Sequence, residues 1–511
     1  MSENLPLPTE HDGAPDWPAA RALTHPEIRT IVLGIMLAMF LGALDQTIVA
    51  TALPTIGRHF NNLADLSWVV TAYLLTGTAV TPLYGKLSDI HGRRITMLIA
   101  ILLFVMGSVA CALAPSMTAL ILARALQGLG GGGLMALSQT IIADIISPRE
   151  RGLYQGYIGA VFACSSVGGP VLGGFLTEHI DWSLIFWINL PLGLAALGMT
   201  SNVLKRVPFH PRPHKIDVIG AVLMMAAAVA LLLALTWGGR KYAWLSPQIV
   251  ALLVGSALLW MLFAFRLAHA AEPFLPLSVL GNPVVRSAAL AGACNMGTLV
   301  GMTIIMPLYF EVVQHLSASQ SGFALIPMLG ITVASSTVIG RLMMRRGRYK
   351  RMGVITLFGS IVALAVLAIW PAHLPIWGVL VLMAGVGIGL GAVFPISTVA
   401  LQNAVPYWQM GIATAAANFF RSLTASLVVT ALGAIVLSQL GGGSGSAVET
   451  LARGASAADL AVAFRYVFIT CGLVLCLAMA FLIAMEELPL KGPHQHTGEP
   501  AEAPITPMAA E

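Results

Sequence analysis

The 511-residue sequence is 57% hydrophobic and only 10% charged, with a net charge of +5 and a mean hydropathy of +0.85. A water-soluble domain carries about a quarter charged residues, so this chain cannot cover itself with a hydrated surface, and its main solvent is lipid. The basic balance does not call for a nucleic acid, because lysine and arginine gather in the cytoplasmic loops of membrane proteins.

In chain order, residues 1–26 are acidic and proline-rich, the reverse of a signal peptide, and read as a disordered cytoplasmic tail. A helix needs about 20 apolar residues to cross the hydrocarbon core. Stretches of that kind near 30–50, 66–84, 95–113, 117–138, 154–176 and 183–203 predict a six-helix bundle over 27–204. The basic linker KRVPFHPRPHK leads into spans near 216–236 and 247–266, so 205–270 is a linker with two inserted helices. Spans near 285–310, 322–343, 352–370, 375–397, 411–438 and 464–484 predict a second six-helix bundle over 271–485, before a cytoplasmic tail at 486–511. The expected fold class is all-α and polytopic, with fourteen transmembrane helices, since only helices satisfy the backbone in lipid over such lengths.

An even number of spans puts both termini on one side. If that side is cytoplasmic, only Arg58, Arg240, Lys241, Arg453 and Arg465 of the 27 basic residues fall outside, and Arg124 and Arg421 fall within spans. That bias fixes orientation and explains the basic pI. The five cysteines at 111, 164, 294, 471 and 476 all lie in apolar stretches, with neither a loop pair for a disulfide nor a cysteine–histidine spacing for zinc. No metal and no cofactor are expected. The glycine run 130–133 is followed by LMALS, so it cannot be a phosphate-cradling loop. The twelve histidines are scattered, which disfavours a membrane enzyme.

GKLSDIHGRR (85–94) follows the second span and GRLMMRRGRY (340–349) the tenth. At an offset of 255 residues Gly85 aligns with Gly340, Leu87 with Leu342, Gly92 with Gly347, Arg93 with Arg348 and Gly156 with Gly411. The halves therefore read as related bundles, an architecture suited to alternating access about a site between them.

Several motifs together carry a resemblance. LDQTIVATALPTI (44–56) resembles the first-helix signature of the fourteen-helix drug:proton antiporters of the major facilitator superfamily. GKLSDIHGRR is similar to that superfamily's loop between helices 2 and 3, LILARALQGLGGGG (120–133) to its helix-4 motif, SSVGGPVLGG (165–174) to the helix-5 motif of exporters and WINLPLG (187–193) to its helix-6 opening. Two departures stand out: Trp182-Ser183-Leu184 replaces the family's Trp-Arg-Trp, and Glu311 stands where glutamine is common. The resemblance implies a proton-driven exporter, fuelled by the proton gradient rather than by a cofactor.

Asp45 is the only carboxylate well inside a predicted span, where an unpaired charge costs several kcal/mol. Helical rise places it at the same depth as Arg124. The pair reads either as a proton-coupling site on a water-filled cavity or as a fixed structural ion pair. Glu311 falls at the outer mouth, as a proton- or cation-accepting group or a solvated loop-end carboxylate. Arg421 lies near the midplane with no acid at its depth, available to an anionic or polar cargo group or to backbone carbonyls. Gln46, Asn295, Tyr309, Gln402 and Asn418 are candidate cargo-binding groups or interhelical ties. Gly85, Asp89, Gly92, Arg93 and Arg94 form either the cytoplasmic latch the resemblance implies or a topogenic basic loop; Asp89 could cap a helix or pair with Arg93 or Arg94. Gly169, Pro170, Gly173 and Gly174 suit a moving seal on helix 5 or plain close packing.

These readings converge on a proton-coupled antiporter of the cytoplasmic (inner) membrane, acting as a monomer in the lipid bilayer, with protons and a small molecule as partners and no nucleic acid. Amphipathic, cationic drugs are the expected cargo; a siderophore, lipid or other metabolite exporter, or a proton-coupled importer, are the alternatives. The 440–464 loop reads as a long connector or as a contact for a periplasmic adaptor and outer-membrane channel.

Overall fold

The computed structural model describes residues 25–62, 65–146, 148–206, 217–239, 241–270, 273–274, 277–316, 318–346, 349–406, 409–439 and 457–490. Fourteen long helices follow one another: α1 His25–His59, α2 Leu66–His91, α3 Arg93–Ala112, α4 Met117–Ile145, α5 Pro148–His179, α6 Asn189–Val203 and α7 Val218–Trp237. Then come α8 Pro247–His269, α9 Pro283–Val312, α10 Ile326–Arg346, α11 Lys350–Ile369, α12 Ile376–Asn403, α13 Met410–Gln439 and α14 Ala457–Ala484. Among the described residues, thirteen candidate spans are long and apolar enough to cross a membrane. The remaining helix, α2, has 26 residues, about 39 Å at helical rise, but threonines, glycines and Pro82 make it less apolar. Among the described residues there is no strand, only an isolated bridge between Gly238 and Tyr242. The chain is thus an all-α, multi-pass membrane protein.

The helix starts have local causes. Ser116, Asp217, Ser246 and Asn282 each accept a backbone N–H at the head of α4, α7, α8 and α9, and Pro247 and Pro283 follow directly on two of them. Between α2 and α3 a single residue, Gly92, makes the turn at φ 90°, a value that side-chain-bearing residues rarely adopt.

In the N-terminal half α1 packs on α5 and α6, and α4 on α2 and α3; in the C-terminal half α9 packs on α13 and α14, and α12 on α10 and α11. Two seams join the halves, α5 against α10 and α2 against α13. The helices α7 and α8 pair with each other, and α7 lies over the α2–α13 seam, where Leu75, Ala228, Leu232, Phe419 and Leu423 share one buried cluster. The start of the expected C-terminal tail is docked: the Glu487 carboxylate accepts the Lys350 amide at 2.9 Å at the head of α11, and Asn403 donates to the Pro489 carbonyl at 3.1 Å. Residues 1–24, most of the 205–215 linker, 440–456 and 491–511 lie outside the described residues.

Candidate functional site

The α1 helix carries Asp45 against α4, which presents Arg124 and, one turn on, Gln127. Arg124 Nη1 donates to Asp45 Oδ2 at 2.6 Å and to Gln127 Oε1 at 2.7 Å. The other carboxylate oxygen, Oδ1, accepts from Gln127 Nε2 at 2.8 Å and from Asn189 Nδ2 at 3.0 Å. Asn189, the first residue of α6, also donates to Ser108 Oγ of α3 at 2.9 Å. Arg124 Nε donates to the Val69 carbonyl at 3.0 Å, and its guanidinium lies 4.3 Å above the Tyr73 ring. Five helices of one half thus converge on a single carboxylate. A buried charge is tolerated when an opposite charge and further donors replace its lost water, and here both are present.

Depth reckoning along the helices brought Asp45 and Arg124 together, and the structure does so. It does not set them on a water-filled cavity, however: Asp45 is 0% and Arg124 1% exposed. The cavity expectation is corrected, because α3, α4 and α6 close over the pair. Gln46, the next residue of α1, is exposed and lies near the Tyr73 phenol, while Tyr73 packs its ring on the Arg124 guanidinium.

A second cluster lies at the α2–α3 turn. Arg93 pairs with Asp89 and with Asp144 of α4, the latter at 2.7 Å, and donates to Ser88 Oγ at 2.6 Å. Asp89 Oδ2 accepts the backbone N–H of Ile412 at 3.0 Å, reaching across to the first turn of α13. Arg94 does not join this network; it donates to the Ser201 carbonyl of α6 at 3.1 Å. Glycines bring the halves together here: a Cβ on Gly85 would sit 2.7 Å from the Gly411 carbonyl oxygen, and one on Gly152 2.8 Å from that of Gly340.

At mid-length of α13, Arg421 Nη2 donates to Ser397 Oγ at 3.1 Å and to Thr398 Oγ1 at 2.8 Å, and Nη1 to Asn418 Oδ1 at 3.2 Å. Its guanidinium lies 5.0 Å from the Phe394 ring. Asn418 Nδ2 in turn donates to Gln139 Oε1 of α4 at 3.1 Å, a bond between the halves. Arg421 therefore meets side-chain hydroxyls and an amide, not the backbone carbonyls weighed as one alternative.

The other expected cargo groups tie helices of the C-terminal half. Tyr309 is fully buried among Phe310, Phe464 and Phe468, with its hydroxyl donating to the Pro371 carbonyl at 2.7 Å. Asn295 donates to the Leu390 carbonyl at 2.9 Å and Gln402 to Thr414 Oγ1 at 3.3 Å. All three lack the exposure a cargo contact needs in this conformation, although Asn295 Oδ1 and Gln402 Oε1 have no hydrogen-bond partner. Glu311 is exposed in the last turn of α9. On α5, Gly169 and Gly173 press against Thr47, Ile48 and Thr51 of α1 within the same half, rather than at the seam, while Gly174 meets nothing within 4 Å. The backbone of Pro170 lies in α5; its side chain is outside the described residues.

Sequence reasoning missed Asn189, Ser108, Tyr73, Asp144 and Gln139. Asp144 was hidden by an expected end of helix 4 near 138, whereas α4 runs to Ile145; the acid one turn before Pro148 was the available signal.

The Major Facilitator Superfamily pattern matches residues 35–429. An uncharacterised MFS-type transporter of Mycobacterium tuberculosis is 35% identical over 440 residues, covering 84% of this chain and 63% of that protein, so the match spans less than two thirds of that relative. Multidrug transporter protein MdtP of Bacillus subtilis is 34% identical over 413 residues, covering 80% of this chain and 76% of its own length. A bacterial homologue of the iron transporter ferroportin, in an outward-facing state, superposes with a TM-score of 0.61 at 14% identity, over 89% of this chain and 98% of that one. At that identity the likeness speaks for the fold alone.

Proposed function

This chain belongs to the Major Facilitator Superfamily, and from that premise we propose that it is a proton-coupled antiporter exporting amphipathic drug-like molecules across the cytoplasmic membrane. It is a transporter and not an enzyme. Drug export is supported by relatives named as multidrug transporters and by the helix-5 glycine motif. Proton coupling is supported by one observation above the rest: a carboxylate inside the membrane, fully buried, whose charge is answered by a single guanidinium on another helix.

In the proposed cycle the halves close at the α2–α3 end, taken as cytoplasmic from the basic loops, through the glycine contacts and the Asp89–Ile412 bond. Asp45 exchanges its proton in a different conformation, reached through Gln46 and Tyr73. Protonation removes its attraction for Arg124, frees α1 to move on α4 and lets the halves rock. Cargo occupies the space between the halves, with Gln46, Asn418 and Arg421 as contacts and Glu311 at the far mouth. Cationic cargo was expected from a carboxylate open to the cavity. With Asp45 answered by Arg124, that reason lapses, and the proposal is left at amphipathic molecules.

The full burial of the pair favours a second reading, in which Asp45 and Arg124 only hold α1 to α4. A dye and antibiotic efflux panel in a pump-deleted host, with and without a protonophore, tests the main proposal. Efflux that stops with the protonophore is expected; efflux indifferent to it, or absent across the panel, contradicts it. Uptake driven by the same gradient would support the importer alternative.

A further inference from the structure

Arg421 differs from the other buried arginines. Arg93 and Arg124 are salt-bridged; Arg151 leaves Nη1 without a partner but donates to the Ile146 and Ala143 carbonyls at the end of α4, within reach of the Asp144 charge. Arg421 is 4% exposed and has only neutral partners. Among the described residues no carboxylate pairs with it. A guanidinium carries five N–H donors; three acceptors meet them here, and Nε has none. A charge so placed costs several kcal/mol in a membrane protein unless a counter-charge meets it during function.

Its position supplies the occasion. Arg421 is the twelfth residue of α13, about 17 Å from its start at helical rise, near mid-membrane. Asn418, which accepts from it, is bonded across the seam to Gln139 of α4, and Phe394, beneath it, packs against the core of the other half. Were the halves to part at the α2–α3 end, the Asn418–Gln139 bond across the seam would have to break, leaving the guanidinium at the wall of the gap.

We propose that Arg421 is the anion-recognition group for cargo, taking a carboxylate or comparable anionic oxygen group of an amphipathic molecule entering from that end. The inference rests on the transporter reading above and adds the charge class of the cargo. A carboxylate would replace neutral hydroxyls with a charge-assisted, two-pronged contact and neutralise a guanidinium that no described acid pairs with in this conformation. In this conformation the Asp45–Arg124 pair is neutral and closed off from the gap.

The test uses the full chain in proteoliposomes with an imposed pH gradient and two dyes that differ in one group, rhodamine B with its free carboxylate and rhodamine B ethyl ester without it. The wild-type chain should move rhodamine B in preference to the ester. Arg421→Gln should lower rhodamine B transport about tenfold or more beyond whatever it takes from ester transport, the scale of one lost charged contact. Arg421→Lys should recover part of the rhodamine B rate. Equal losses on both dyes would mark a structural role and overturn the inference, as would a wild-type preference for the ester, a result that stands even if the variants do not fold. If chloride rather than cargo supplies the counter-charge, replacing it with gluconate will slow both dyes alike, which also overturns the inference. Ester transport without carboxylate transport leaves the efflux proposal standing; transport of neither dye by the wild type counts against that proposal itself.

Discussion

Gly85 of α2 and Gly411 of α13 approach so closely that a Cβ on the first would sit 2.7 Å from the carbonyl oxygen of the second. The 255-residue offset maps Gly85 onto Gly340 and Gly411 onto Gly156, and α10 meets α5 in the same manner, through Gly340 against Gly152 and Thr337 against Gly156. The two seams therefore use aligned glycines in a similar close approach, with partners displaced by about one helical turn. Each lets backbones touch where a side chain would hold them apart.

Gly85→Val and Gly152→Val should each prevent closure of this end. Transport should fall about tenfold or more, because the obstacle is backbone and cannot rotate aside, while membrane insertion and yield remain near wild type. Wild-type rates in either variant would show that the seams do not close in the cycle.

Asp144→Asn should leave Arg93 with Asp89 as its one remaining carboxylate. A weakened buried ion pair of this kind costs about 1–3 kcal/mol, visible as a lower unfolding temperature in detergent. Asp89→Asn should also weaken the link to the Ile412 amide across the seam, so its transport loss should exceed that of Asp144→Asn at equal stability loss. Equal effects on transport would place both acids in the fold alone.

Glu487 caps α11 from beyond the last helix, accepting the Lys350 amide, while Lys350 Nζ donates to the Met485 carbonyl at 2.7 Å. Burial and this carboxylate push the neighbouring Tyr349 phenol up to about 12. Glu487→Ala should cost about 0.5–2 kcal/mol, as lost caps do, and leave transport per folded molecule unchanged. A transport defect without a stability loss would contradict a purely capping role.

Much of this was legible in the sequence because lipid leaves few solutions. Fourteen apolar stretches gave the helices in order, and helical rise alone put Asp45 level with Arg124. Partners set by tertiary packing were not legible. Asn189, at the head of α6, reaches Asp45 across the bundle, a meeting no periodicity announces. Tyr309 reads as a cavity residue from its hydroxyl, yet the hydroxyl answers Pro371 inside a ring of phenylalanines. The glycines of helix 5 reveal close packing, but not that Gly169 faces α1 while Gly152 faces α10.

Breaking the central pair should show its cost. Arg124→Ala leaves a buried carboxylate uncompensated, and such a loss is worth about 3–5 kcal/mol, so folded yield should fall sharply. Adding Asp45→Asn to it should restore much of that yield, a coupling that a double-mutant cycle reads directly. Additive losses would mean the two groups do not depend on each other.

The claim that Asp45 trades a proton for cargo is tested most directly by proton release. Purified protein in weakly buffered detergent, with a pH-sensitive dye, is mixed with a transported compound identified in the efflux panel. The wild-type chain should release protons as cargo binds, and the folded fraction of Asp45→Asn should bind the same cargo and release none. Release from the Asp45→Asn protein equal to that of the wild type would contradict the account and leave Asp45 and Arg124 as a structural pair.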